Sequence, residues 1–169
     1  MRDAREFDAF YVASSRRVLG QLYAITGDRA EAEDAVAEAY LRAWDRWGTV
    51  RDCGSPEAWV RQVAYRAAVS SWRKAVNRLR AHHRDAAPPD ADGLSPDHVA
   101  LVHALRQIPV DQRRVIVLHH LVGLSVDEIA AEVDAPAGTV KARLARGRKA
   151  LAVHLMDTEE YAVGANRHG

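Results

Sequence analysis

The sequence of 169 residues predicts an all-α fold, in which two small helical domains are joined by a flexible linker. Apolar residues recur at helical spacing along most of the chain, and the alternation typical of half-buried strands is nearly absent. A stretch with adjacent prolines and almost no large apolar residue divides the chain near its middle. We therefore expect a helical bundle over residues 1–81, a linker over 82–96, a four-helix domain over 97–155 and a tail over 156–169.

The N-terminal segment predicts three helices. The first spans residues 7–25, and Gly27 ends it. The second spans 29–47 and places alanine, valine and aromatic side chains, Trp44 among them, on one stripe, part of which we assign to the core. After a loop at 49–54, an N-cap serine and a first-position proline begin a third helix over 56–80.

The C-terminal segment predicts four helices, with Pro109, Gly123 and a turn around Pro136 between them. Their expected spans are 97–107, 111–120, 126–133 and 137–154. The residues from Asp157 onward are polar and are expected to fray.

The last two predicted helices form a helix-turn-helix pattern. Ser125 and Glu128 make a capping box directly before a short apolar helix. Asp134 lies in the turn, where its backbone can adopt the left-handed conformation. The second helix is rich in arginine and lysine and has no acidic residue as far as 154, as expected of a helix that enters the major groove. The alternative is a surface helix with a solvated basic face.

The second helix of this pattern supplies one set of candidate DNA-binding residues. Val140 and Leu144, four residues apart, are expected to direct one of its faces to the core. Basic side chains on the opposite face can reach guanine, and others can contact phosphates. The candidates are Lys141, Arg143 and Arg148 on that opposite face, Thr139 near the N-terminus, and Arg146 over the phosphates.

Charge is distributed unevenly, although 24 basic and 23 acidic residues leave a formal net charge of +1. Residues 51–84 contain eight basic and two acidic residues, and residues 136–154 contain five basic and no acidic ones. Residues 85–100 contain four aspartates and no base. Two basic blocks separated by acidic segments indicate two separate contacts with a polyanion.

The predicted helix over 56–80 offers a second nucleic-acid surface. At about 100° per residue, Arg61, Tyr65 and Trp72 project within about 40° of one another, and Arg66 and Arg73 flank them. Aromatic rings interleaved with arginine suit a single strand drawn out of a duplex. Tyr65 and Trp72 could instead pack beneath a neighbouring helix. Another face is assigned to the core through Trp59, Val63, Ala64 and Ala67.

Three stretches resemble the extracytoplasmic-function (ECF) sigma factors. The segment DEIAAEVDAPAGTVKARLARGRKAL, residues 127–151, resembles their promoter-reading helix-turn-helix. The segment EDAVAEAYLRAW, residues 33–44, is similar to the helix that docks on RNA polymerase, and SPEAWVRQVAYR, residues 55–66, is similar to the start of the promoter-opening helix. Asp134, Ala142 and Arg66 depart from the residues common in that family. The last two lie at or near DNA-reading positions, which bears on the promoter sequence that is read.

The resemblance implies a sigma factor that binds core RNA polymerase and promoter DNA in the cytoplasm, with an anti-sigma factor as a further partner. It implies that the helix over 136–149 reads the −35 element and that the 47–73 region opens the −10 element. Arg51 lies in the loop that would capture a flipped base. The implied polymerase-binding residues are Glu33, Asp34, Glu38 and Arg42; a merely solvated acidic face is the alternative for these positions.

Other functional classes find little support in the sequence. The adjacent pairs His82–His83 and His119–His120 lack metal-ligand spacing, and no nucleophile or phosphate-loop motif is present. Cys53 is the single cysteine, there is no apolar run near 18 residues, and the N-terminus does not resemble a secretory leader. We expect no enzyme activity, no cofactor, no metal and no membrane association.

Two alternatives to a sigma factor remain open. A conventional helix-turn-helix regulator would bind an operator tightly, as a dimer and without polymerase. A protein-interaction adaptor would keep the helix-turn-helix but would no longer bind DNA.

Overall fold

The computed structural model describes residues 2–79 and 96–165, with side chains over 3–77 and 97–156. The chain divides into two compact units, with the division after Asp90. All regular structure within the described ranges is helical, which confirms the predicted all-α fold. The linker predicted over 82–96 lies outside the described residues except for its last position.

The first unit is built from four helices, three of which pack against one another. They are α1 (Arg2–Thr26), α2 (Arg29–Asp45), α3 (Trp47–Val50) and α4 (Pro56–Leu79). Asp28 caps α2, because its carboxylate accepts a hydrogen bond from the backbone N–H of Glu31 at 2.9 Å. Val18 and Leu22 of α1 are fully buried against the small residues of α2. The three long helices agree with the prediction to within a few residues at most ends.

The junction after α2 differs from the prediction of a helix to residue 47 followed by a loop. Arg46 leaves helical geometry at φ −120° and ψ 22°, and the short helix α3 follows. Its formation buries Trp47 and Val50, which are 5% and 1% exposed. Burial of these two apolar side chains explains why the chain remains helical where polar neighbours predicted a loop.

A polar seam, formed by Arg17 and Glu57, joins the first turn of α4 to α1. Arg17 donates two hydrogen bonds to Glu57, from Nε to Oε1 at 2.9 Å and from Nη2 to Oε2 at 2.5 Å. Ser14 Oγ and Tyr40 OH lie 2.7 Å apart in the buried interior beside this pair. A bidentate guanidinium–carboxylate pair fixes orientation as well as distance, so this seam sets the direction in which α4 leaves the bundle.

We expect Glu57→Gln to lower the free energy of unfolding of the first unit by about 0.5–1 kcal/mol at neutral pH. The hydrogen bonds from Arg17 lower the pKa of Glu57 against the opposing effect of burial. This stabilisation is therefore complete above the unfolded carboxyl pKa of about 4.3 and is lost as the pH falls through the lower folded value. Urea unfolding followed by tryptophan fluorescence measures it, because all four tryptophans lie in residues 44–72.

The control for this prediction is Glu38→Gln. Glu38 pairs with Arg42 only four residues away on an exposed helix face, so its loss should cost about 0.3–0.5 kcal/mol. Equal effects of the two substitutions at neutral pH, or an effect of Glu57→Gln that persists in acid, would contradict the role given to the seam.

The second unit also contains four described helices. They are α5 (Pro96–Arg106), α6 (Val110–His120), α7 (Val126–Val133) and α8 (Ala137–Ala165). The most deeply buried side chains come from all four helices: Val102, Leu105, Val115, Val117, Leu118, Ile129, Val140 and Leu144. The predicted end of the last helix at 154 is wrong, because α8 continues to Ala165. Residues 155–163 contain neither proline nor glycine, so no local signal stops the helix.

The predicted helix-turn-helix is present in α7 and α8. Ser125 Oγ accepts from the backbone N–H of Glu128 at 3.2 Å, and Glu128 Oε2 accepts from the backbone N–H of Ser125 at 2.7 Å. This is the predicted capping box. Asp134 adopts φ 52° and ψ 55°, the left-handed conformation expected at the turn. The local signals therefore position the start of α8 relative to α7.

Helices α6 and α8 approach closely at Gly147. A Cβ at this position would lie 2.6 Å from Ile116 Cδ1, 3.2 Å from Ile116 Cγ1 and 3.3 Å from Gln112 Cβ. Ile116 is itself 3% exposed, so the crossing has no spare volume. Glycine at 147 is required for the observed distance between the two helices.

Candidate nucleic-acid interface

The first turns of α8 present a basic surface opposite the core of the second unit. Val140 and Leu144 are 0% and 3% exposed and fix the inward face, as predicted. Lys141, Arg146 and Lys149 are exposed, and Thr139 is half-buried near the start of the helix. This surface can offer ammonium and guanidinium groups to a groove or to phosphates.

Arg143 and Arg148 contact side chains of α6. Arg143 Nη2 is 3.7 Å from Asp111 Oδ2, and the exposed Arg148 donates from Nε to His120 Nε2 at 3.1 Å. The expectation that Arg143 shares a face with Lys141 and Arg148 is wrong. Helical geometry gives the reason: residues 141 and 148 are about 20° apart around the helix, whereas residue 143 lies about 160° from 141 and about 140° from 148.

The contact with Arg148 depends on a neutral His120. Partial burial, and then the positive charge of Arg148, lower the pKa of His120. A neutral ring can accept the hydrogen bond from Arg148 at Nε2, whereas a protonated ring would present a second donor. His120 therefore orients one arginine of α8 from the end of α6.

Helix α4 carries the second predicted set. Arg66 and Arg73 are exposed, Trp72 is 51% exposed, and Tyr65 is half-buried against the core. The alternative of inward packing thus applies in part to Tyr65 and not to Trp72. The prediction that Arg61 belongs to this surface is wrong: Arg61 is 3% exposed, and its Nη1 donates to Gln21 Oε1 at 3.3 Å.

The predicted core face of α4 is also partly corrected. Ala64 is fully buried as expected, whereas Trp59, Val63 and Ala67 are only half-buried at the edge of the core. Val60 and Ala68 complete the buried stripe instead. The stripe is rotated from the predicted one toward the side that contains Arg61, which explains why Arg61 is buried and Trp59 is not fully covered.

The outer end of α4 projects from the packed part of the first unit. In residues 70–77, which we call the α4 extension, every side chain is exposed except that of Ala75, which is half-buried. Trp72 and Arg73 lie in this extension, together with Lys74. The extension is therefore available to a ligand from several sides.

Arg51 lies where α3 ends, and it is surrounded by carboxylates. Its Nη1 is 2.6 Å from Asp3 Oδ1 and 3.6 Å from Glu6 Oε2, and its Nε is 3.7 Å from Asp52 Oδ1. The Arg51 side chain is 33% exposed. The predicted strand-capture residue is thus paired with the first turn of α1, a contact that no local pattern in the chain indicates.

The outer face of α2 contains the predicted polymerase-binding residues. Glu33, Asp34, Glu38 and Arg42 are all exposed on it. Two of the acids are paired along the helix: Arg29 Nε lies 2.9 Å from Glu33, and Arg42 Nη2 lies 2.5 Å from Glu38.

Apolar side chains accompany these charges, and the sequence interpretation missed them. Leu41 is 67% exposed, and Trp44, which belongs to the apolar-aromatic stripe, is 46% exposed beside Phe7 with ring centroids 5.2 Å apart. Because Leu41 lies outside the apolar stripe of α2, its exposure could have been predicted from the sequence. Exposed apolar side chains rimmed by polar residues are typical of a protein-docking site.

Within the described side chains, no group of three or more His, Cys, Asp and Glu residues could hold a metal ion. Across residues 2–79 and 96–165, no helix combines the length and apolar character needed to cross a bilayer.

Comparison with known families gives two matches on this chain. The family model of sigma-70 region 2 matches residues 10–78, and the model of sigma-70 region 4 matches residues 98–151. The first covers α2, α3 and most of α1 and α4, and the second covers the helix-turn-helix.

Individual relatives match over most of their length. The RNA polymerase sigma-H factor of Pseudomonas aeruginosa is 29% identical over 172 residues, which cover 88% of this chain and 86% of that protein. The ECF RNA polymerase sigma factor SigL of Mycobacterium tuberculosis is 32% identical over 140 residues, covering 79% of each. The sigma factor RpoE of Bartonella quintana, solved in complex with the anti-sigma factor NepR, has the same fold, with a TM-score of 0.78 at 22% identity over 90% of this chain and 98% of that one.

Proposed function

We propose that the two units of this chain have separate roles at the promoter. The premise is that the chain belongs to the ECF sigma factors, which bind core RNA polymerase and direct promoter recognition and transcription initiation. The observation that carries the proposal is the order of two region models on one chain, with region 2 before region 4. A conventional regulator is not favoured, because a helix-turn-helix alone would leave the match over residues 10–78 unexplained.

For the second unit, we propose that α8 reads the −35 element of the promoter. Lys141 and Arg146 are exposed on its outer surface and are the candidates for base and phosphate contacts, with Thr139 at the leading end. Arg143 and Arg148 flank this surface and are oriented by Asp111 and His120. In this proposal the two arginines contact the DNA backbone at the edges of the groove.

For the first unit, we propose that α4 and the loop after α3 open the −10 element. Trp72 and Tyr65 supply stacking surfaces, and Arg51, Arg66 and Arg73 supply positive charge along the strand. Arg61 supports this surface from within by its contact with Gln21. The process is recognition and strand capture and requires no covalent chemistry, so we propose no enzyme activity for the chain.

The outer face of α2 is proposed to dock on the polymerase. Its exposed acids pair weakly with neighbouring arginines in the free protein and can exchange those partners for basic groups of the polymerase. Leu41 and Trp44 add apolar area that a partner can bury. The contact thus combines charge complementarity with the burial of two large side chains.

We also propose domain bounds, an inhibitor and a cellular location for this chain. Residues 1–81 would form the docking and −10 domain, 97–155 the −35 domain, 82–96 the linker and 156–169 the tail. The relative from Bartonella quintana forms a complex with an anti-sigma factor. We propose that this chain also has such an inhibitor and acts in the cytoplasm.

The decisive experiment compares the protein alone with the protein bound to core polymerase. Transcription from a random promoter library with purified core enzyme should return a defined pair of −35 and −10 sequences. Footprints on a selected promoter should appear only when polymerase is present. A dimer that protects an operator without polymerase would instead establish the conventional regulator, and a chain that binds neither polymerase nor DNA would support the adaptor.

We expect Trp72→Ala to reduce open-complex formation about five- to tenfold, because stacking on an aromatic side chain contributes about 1–3 kcal/mol per base. The exposure of Trp72 predicts little change in the stability of the first unit. Permanganate reactivity of −10 thymines measures strand opening. Trp72→Phe should keep much of the activity, and Val76→Ala, at a 43% exposed neighbour on the α4 extension, is the control. Equal losses in Trp72→Ala and Val76→Ala would contradict a stacking role.

A further inference from the structure

The acidic first turn of α1 holds Arg51, a contact that the functions above do not use. Asp3 and Glu6 are one turn apart on α1, and both reach Nη1 of the same guanidinium, at 2.6 and 3.6 Å. Asp52, the next residue in the chain, approaches Nε at 3.7 Å. One positive and three negative charges give this cluster a net charge of −2, so a phosphate that approaches Arg51 meets net repulsion.

Packing keeps the acidic turn close to Arg51. Phe7, directly after Glu6, contacts Trp44 and Trp47 with ring centroids 5.2 Å away in each case. On the other side, the backbone N–H of Arg51 donates to Trp47 O at 2.9 Å at the end of α3. Both partners of the ion pair are thus attached to Trp47, a residue that is 5% exposed. The effective concentration of the carboxylates at the guanidinium is therefore high.

The ion pair itself can open without disturbing the core. The side chains of Asp3 and Glu6 are 66% and 49% exposed, and that of Arg51 is 33% exposed. Exposed pairs of this kind contribute little to stability and weaken as salt rises. A polyanion that brings several phosphates can displace them.

We propose that Asp3 and Glu6 form an acidic cover over Arg51, which competes with DNA phosphate and lowers the affinity of the loop after α3 for the captured strand. The proposal rests on the proposed role of Arg51 at the −10 element. A promoter strand that binds displaces Asp3 and Glu6 from Arg51. Arg51 therefore contributes to binding only once enough other contacts between the protein and the strand have formed. The N-terminal turn thereby raises the threshold for opening weak promoters.

The test uses the full chain assembled with core polymerase, and the probe is a fork-junction DNA with a single-stranded −10 segment from a library-selected promoter. The variants are Asp3→Asn with Glu6→Gln, Arg51→Ala, and the combination of all three. Asp8→Asn is the control, because Asp8 is exposed on α1 and, being two residues after Glu6, lies about 160° around the helix from it. Fluorescence anisotropy at several salt concentrations measures affinity.

The cover predicts about a three- to tenfold gain in affinity for Asp3→Asn with Glu6→Gln at low salt. The salt dependence should steepen by up to about 0.7 in the logarithmic slope, the value for one added phosphate contact on a single strand. Asp8→Asn should change little. The gain should vanish in the presence of Arg51→Ala.

Different results would overturn the acidic cover and the strand-capture role of Arg51. If Arg51→Ala weakens binding but removal of the two acids does not strengthen it beyond the Asp8→Asn control, the cover is overturned and the strand-capture role stands. If Arg51→Ala has no effect on binding, the strand-capture role of Arg51 falls and the cover falls with it. A gain that survives Arg51→Ala would show a general charge effect and would also overturn the cover. Tryptophan-fluorescence unfolding of each variant verifies that the first unit is folded.

Discussion

Reversal of charge at Lys141 and Arg146 together is expected to abolish promoter-specific transcription while the fold is retained. Both side chains are exposed on α8, so their replacement by glutamate removes no packing. A base contact contributes about 1–3 kcal/mol of discrimination, and each introduced carboxylate also repels the DNA backbone. Loss of two such contacts corresponds to at least about a 30-fold fall in promoter affinity. Transcription in vitro from a library-selected promoter measures the loss.

Two further variants separate DNA binding from folding. Arg106→Glu reverses one charge at an exposed position of α5, outside the helix-turn-helix, and should transcribe nearly as well as the natural chain. Arg143→Glu is expected to weaken the second unit as well as DNA binding, because it places a carboxylate beside Asp111. Transcription at half the natural level or more by Lys141→Glu with Arg146→Glu would refute the assignment of α8 to the −35 element.

Gly147→Ala is expected to destabilise the second unit by about 1–2 kcal/mol, although alanine favours a helix over glycine by about 1 kcal/mol. The new Cβ would lie 2.6 Å from Ile116 Cδ1 and 3.3 Å from Gln112 Cβ. The helices must separate or Ile116 must leave its rotamer, and both changes cost packing energy. Urea unfolding followed by far-UV circular dichroism, with amide exchange of α6 and α8, measures the effect; tryptophan fluorescence reports the first unit separately.

A compensating substitution makes this prediction specific. Ile116→Val removes the Cδ1 atom that the new methyl group would meet and by itself should cost about 0.5–1.5 kcal/mol. In combination with Gly147→Ala it should cost less than the sum of the two single changes, since the residues are in contact. Gly138→Ala is the control, because a Cβ there would meet no atom within 4 Å. Gly147→Ala at or above the natural stability would disprove the close crossing.

Local signals made much of this fold predictable. Asp28, Ser125 and Glu128 are capping residues whose hydrogen bonds join positions three residues apart, so their effect is visible in the sequence. The left-handed Asp134 follows equally from its place between two helical patterns. The fold class and the helix-turn-helix depend on such short-range relations, and both were predicted correctly.

The orientation of side chains between helices was less accessible. The helix period limits which residues share a face, and it already separates Lys141 from Arg143 by about 160°. It does not say which neighbouring helix supplies a partner, such as Asp111 or His120 of α6. The burial of Arg61 likewise depends on Gln21, forty positions earlier in the chain. These contacts arise from tertiary packing, which periodicity does not encode.

The α4 extension has a consequence for the divergence of this lineage. Positions 70–74, 76 and 77 are exposed, so substitutions there alter the folded state little. The inward-facing half of the same helix, with Val60 and Ala64 fully buried, tolerates far fewer changes. Under the proposed role of α4 at the −10 element, promoter preference can therefore change through substitutions in the α4 extension while the buried half of the helix preserves the fold.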